Sequence, residues 1–68
     1  MSAIAKVKQT LATIKGAEST LEMYSLQERN SEAKEIYKEA AREINKIKRD
    51  LEKRIGTMEF EEPQYKGN

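Results

Sequence analysis

Sixty-eight residues make one domain at most, near the lower size limit for independent folding. Charged and hydrophobic residues each make up 37% of the chain, and the absence of Cys and His excludes a disulfide framework, a thiolate or imidazole zinc site, and Ser-His or Cys-His catalysis. Thirteen basic against twelve acidic residues leave a net charge of +1, so no global field draws the chain to nucleic acid or to a membrane.

The opening stretch sets Lys6 and Lys8 among its apolar residues. It therefore lacks the apolar run of about 7–15 residues that a signal peptide requires, and no run reaches the roughly 20 of a membrane span. The cytoplasm is the expected compartment. Apolar residues then recur at Ile4, Val7, Leu11, Ile14, Ala17, Leu21 and Tyr24, in steps of three and four that keep them on one helical face. This predicts a first helix over about residues 3–28, with Ser2 as its N-cap. Gly16 inside it costs about 1 kcal/mol relative to Ala. It falls where two successive steps of three disturb a strict heptad, so it marks either a tolerated exposed glycine or a local change of winding. Glu18 is the one carboxylate on the apolar arc. It is expected at the edge of the stripe, reaching solvent or a basic partner, rather than as a buried ligand or acid.

The pattern breaks over residues 29–31. Asn30 suits the left-handed conformation that ends a helix, and Ser31 can cap the next one. A second helix is predicted over about residues 32–58. Its heptad positions hold Ala33, Tyr37, Ala40, Ile44, Ile47, Leu51, Arg54 and Met58, with Ile55 beside the one charged exception. Beside this stripe, Glu35–Lys38, Glu39–Arg42 and Glu43–Lys46 stand at the i, i+3 spacing of helical ion pairs. Tyr24 and Tyr37 flank the turn from either side and are expected to pack together. Gly56 is expected to fray the helix end, and Pro63 biases Glu62 away from helical dihedrals, giving an extended tail over residues 59–68. Within that tail, Phe60, Pro63 and Tyr65 stand among glutamates as a candidate partner-binding motif.

Two helices of similar length joined by a tight turn define an all-α, antiparallel two-helix hairpin. Each helix can bury only one stripe against the other, so the sides of both stripes stay wet. Self-association into a four-helix or larger bundle, as a dimer or tetramer, supplies the missing cover. The expected oligomer core is Leu11, Ile14, Leu21, Tyr37, Ile44, Ile47 and Leu51.

No catalytic, cofactor or metal residue is expected. A di-iron bundle needs Glu-x-x-His pairs, and the three glycines stand too far apart for a phosphate loop. Lys46, Arg49 and Lys53 share one face of the second helix, which makes a small nucleic-acid-binding protein the alternative to a non-catalytic structural or interaction module. Asp50 and Glu52 interrupt that face, and no aromatic is interleaved with it.

Three stretches carry a family resemblance: Val7-Lys8-Gln9-Thr10-Leu11-Ala12-Thr13-Ile14-Lys15-Gly16, Leu21-Glu22 with Leu26-Gln27, and Glu61-Glu62-Pro63-Gln64-Tyr65-Lys66-Gly67. Through them the chain resembles a family of short proteins from endospore-forming Firmicutes, catalogued as domain of unknown function sixteen-fifty-seven. Members of that family are encoded alongside SpoVA-type spore membrane channel components. The resemblance implies a sporulation-associated protein of the cytosol, forespore or spore core, and it brings no catalytic residue or ligand.

Overall fold

The computed structural model describes residues 2–61. Two helices fill nearly all of that span: α1, Ala3–Gln27, and α2, Ser31–Glu61, packed antiparallel, with no strand among the described residues. At 1.5 Å per residue they are about 38 and 46 Å long. The hairpin measures 49 × 18 × 12 Å, a ribbon two helices wide and one helix thick.

Local chemistry fixes each end. The Ser2 hydroxyl accepts the Ala5 backbone N–H at 3.2 Å and so caps α1, as its position in the sequence predicts. The helix stops when Glu28 turns extended while still donating its N–H to the Tyr24 carbonyl at 2.9 Å. Glu28 Oε1 then accepts the N–H groups of Arg29 and Asn30 at 3.0 and 3.1 Å, which holds the turn. Asn30, not Ser31, caps the second helix: its Oδ1 accepts the Ala33 N–H at 2.8 Å. Ser31 is already helical, because the amide side chain one residue earlier fills the capping position. Tyr24 and Tyr37 pack across the turn with ring centroids 5.6 Å apart and planes tilted by 59°.

Neither interior glycine perturbs its helix. α1 passes through Gly16 unbroken, and a Cβ there would meet no atom within 4 Å. Gly56 likewise lies inside α2, which continues to Glu61 rather than fraying. Glu59, Phe60 and Glu61 are therefore helical and not the start of an extended tail. The Lys8 ammonium donates to Glu59 Oε2 at 3.2 Å and ties this last stretch to α1. The rest of the expected tail, with Pro63 and Tyr65, lies outside the described residues.

The seam runs in a stricter register than the apolar residues alone predict. On α1 it follows Ile4, Val7, Leu11, Ile14, Glu18, Leu21 and Ser25, with the C-cap Glu28 next in line, an unbroken 3–4 repeat that places Glu18 and Ser25 inward while Ala17 and Tyr24 stay exposed. On α2 it follows Lys34, Tyr37, Ala41, Ile44, Lys48, Leu51, Ile55 and Met58. Lys48 and Ile55 turn towards α1, and Ile47 and Arg54 turn away from it. Ser25 is accommodated in the seam because its hydroxyl donates to the Glu22 carbonyl at 2.7 Å.

Because Gly16 is exposed and its missing Cβ has open space, Gly16→Ala is expected to stabilise the hairpin by about 1 kcal/mol, raising the melting temperature by about 4–8 °C. Thermal circular dichroism checks this, and an unchanged or lower midpoint contradicts the open-space reading.

Candidate functional site

Written as heptads, the two helices form matched rows. The a row holds Ile4, Leu11, Glu18 and Ser25 against Lys34, Ala41, Lys48 and Ile55. The d row holds Val7, Ile14, Leu21 and Glu28 against Tyr37, Ile44, Leu51 and Met58. Outside the a row lies the e row: Lys8, Lys15 and Glu22 on α1, Lys38, Asn45, Glu52 and Glu59 on α2. Outside the d row lies the g row: Ala3, Thr10, Ala17 and Tyr24 on α1, Ala33, Ala40, Ile47 and Arg54 on α2. The ribbon therefore has two unlike faces.

The a/e face is ionic. Lys8–Glu59 at 3.2 Å and Lys15–Glu52 at 3.7 Å cross from helix to helix, seven residues apart on each strand of the pair. Further along, Glu18 is 8% exposed and takes two partners from α2: Lys48 Nζ donates to its Oε1 at 2.8 Å and Asn45 Nδ2 to its Oε2 at 2.7 Å. Each partner engages a different oxygen of the carboxylate, and every buried side-chain polar atom among the described residues has a hydrogen-bond partner. These two bonds, the one from Lys48 foremost, hold the Glu18 carboxyl below the usual value of 4.5, while burial acts the other way. Glu18 thus reaches a basic partner, as its sequence position suggests, but from within the seam rather than from its edge. Exposed pairs such as Lys15–Glu52 contribute little energy; their spacing selects one register of α1 against α2.

The d/g face is apolar and open. Seven of the eight d residues are apolar, and none of them is buried. Ile4 and Ile55, the buried hydrophobic residues among those described, both belong to the a row. The most apolar row is thus not the most covered one. Ile47 of the g row is 52% exposed.

The residues expected as an oligomer core fall on this framework. Leu11, Ile14, Leu21, Tyr37, Ile44 and Leu51 are half-buried along the seam, and Ile47 lies beside it on the open face. Phe60, on the last turn of α2, is 84% exposed. Lys46, Arg49 and Lys53 are exposed on the outer side of α2, and Lys46 pairs with Glu43 at 3.1 Å. All three i, i+3 pairs read from the sequence form: Glu35–Lys38 at 3.7 Å, Glu39–Arg42 at 3.3 Å and Glu43–Lys46. Lys8, Lys15, Asn45, Lys48, Glu52 and Glu59, which build the ionic face, are not evident from hydrophobic periodicity. Their signal is the seven-residue spacing of Lys8 with Lys15, and of Asn45 with Glu52 and Glu59.

Among the described residues no group of three or more carboxylates could hold a metal ion, and no helix is long and apolar enough to cross a membrane. The grooves are shallow. One follows the ionic face between Glu18, Ser25, Lys38 and Asn45.

The family model described as "Protein of unknown function (DUF1657)" matches residues 7–55, and the chain belongs to that family. No curated protein and no solved structure matches it.

The lowered Glu18 value gives a signed prediction. The folded state favours the carboxylate, so this contribution to stability is present above about pH 4.5 and is lost as pH falls below it. Denaturant midpoints measured from about pH 7 down to about pH 3 should fall more steeply for the native chain than for Glu18→Gln. Parallel curves would contradict the pairing.

Proposed function

We propose that this chain is a non-catalytic, self-associating interaction module, working in sporulation as a four-helix or larger bundle that contacts other proteins from its outer surface. One observation carries the self-association: a ribbon one helix thick keeps two apolar residues buried among those described, while Met23, Tyr24, Leu26, Ile36 and Ile47 are all exposed. Domains hold together by burying one layer against another, and a hairpin of this width supplies a single layer. The grooves along the described residues are shallow and open, the form of a contact surface rather than of an enclosed substrate pocket. The sporulation setting, in the forespore or spore core, follows from the resemblance carried by the N-terminal segment and the last residues. Phe60 at the end of α2 is the contact offered to a protein partner.

Static light scattering on a gel-filtration peak, over a hundredfold range of concentration and with circular dichroism in parallel, tests this reading. The expected result is at least twice the chain mass of 7.8 kDa at the high end, with helicity falling as the assembly dissociates. A helical monomer at every concentration would overturn it.

A further inference from the structure

We infer that a second copy of this chain covers the d/g face, stacking ribbon on ribbon so that the ionic faces point outward on both sides. This assignment of the face rests on the self-association proposed above. Along its d and g rows the open face is uncharged except for Glu28, whose carboxylate accepts the Arg29 and Asn30 N–H groups at the turn, and Arg54, whose Nε donates to Asp50 Oδ2 at 3.0 Å. Such a face offers nothing to a phosphate backbone, which would need unpaired cations along it. A charged peptide would likewise find no complementary row there.

An identical ribbon matches it. A two-fold operation brings the same apolar patch onto itself, so its long middle stretch, free of charge between Glu28 at the turn and Arg54, meets an identical stretch. Its extent is suitable: the 49 Å by 18 Å outline of the ribbon is about 900 Å², which leaves room for the roughly 800 Å² of accessible surface that each partner buries in a stable interface. Stacking would bury the open sides of Ile14, Leu21, Ile44 and Leu51 together with Ile47 and Ala17. The small residues Ala17, Ala33 and Ala40 let the backbones approach at four-helix-bundle distances. The a/e face is the poorer candidate, since burying it would desolvate the charges of Lys8–Glu59 and Lys15–Glu52, whereas the d/g face has mainly apolar surface to remove from water.

The test uses residues that the hairpin itself leaves exposed, so that a change reports stacking and not hairpin packing. Ala17→Glu and Ile47→Glu, each retaining a good helix former, should raise the dimer dissociation constant at least about tenfold, whereas Lys15→Gln on the ionic face should leave it within about threefold. A readout independent of folding comes from the native lack of cysteine. At concentrations where the chain is oligomeric, Ile47→Cys should react with a thiol reagent at least about tenfold more slowly than Lys15→Cys. Equal rates, a slower reaction at Lys15→Cys, or an oligomer that both glutamate variants leave intact would overturn the assignment of the face while leaving self-association standing. A native chain that is monomeric at every concentration would overturn self-association itself.

Discussion

The hydrogen-bonded ion pair at Glu18 is the constraint on which the rest of the hairpin depends. Apolar side chains along two helices can slide by a heptad at little cost, because one Leu or Ile layer resembles the next. A carboxylate 8% exposed in the seam cannot slide, since one heptad of slip would remove both Lys48 and Asn45 from its oxygens. Lys8–Glu59 and Lys15–Glu52 repeat the same register nearer the open end of the hairpin. The turn, held by Glu28 and capped by Asn30, agrees with that alignment at the other end.

From this register the two-faced ribbon follows. Once Glu18 and Lys48 are fixed in the a row, the long charged side chains of the e row lie over that row and cover it. The d row is then left beside a g row in which Ala3, Thr10, Ala17, Ala33 and Ala40 are too short to shield it, and Tyr24, Ile47 and Arg54 are themselves exposed. Between Gln9 and Gln27, α1 carries three charged residues, Lys15, Glu18 and Glu22, and all three lie in the a or e row. The segregation is thus built into α1 by composition and into α2 by phase. One solvated ionic face and one open apolar face are the physical basis for proposing that the protein works as a subunit of an assembly.

Most of the fold is legible in the sequence. The two helices, the turn, the Ser2 cap, the Tyr24–Tyr37 contact and the three i, i+3 pairs all follow from spacing. The register is legible only in part, and the reason is specific. Hydrophobicity alone steps from Ile14 to Ala17 and from Ile44 to Ile47, whereas the helices place Glu18 and Lys48 in those seam positions because the two residues satisfy each other. A residue-by-residue scale cannot show that two charges on different helices neutralise one another's cost of burial. The end of α2 was hidden for a similar reason: Lys8, 51 residues away, holds Glu59 beyond the point where Gly56 suggests a stop. Long-range pairing overrides local propensity at both places.

Solution X-ray scattering tests the stacked arrangement most directly, because it reads mass and shape together. The stacked pair should show twice the mass of one 7.8 kDa chain, with the long dimension unchanged near 49 Å and a cross-section thicker than the 12 Å of one ribbon. A ribbon of single mass, or a particle of double mass and about twice the length, would contradict it.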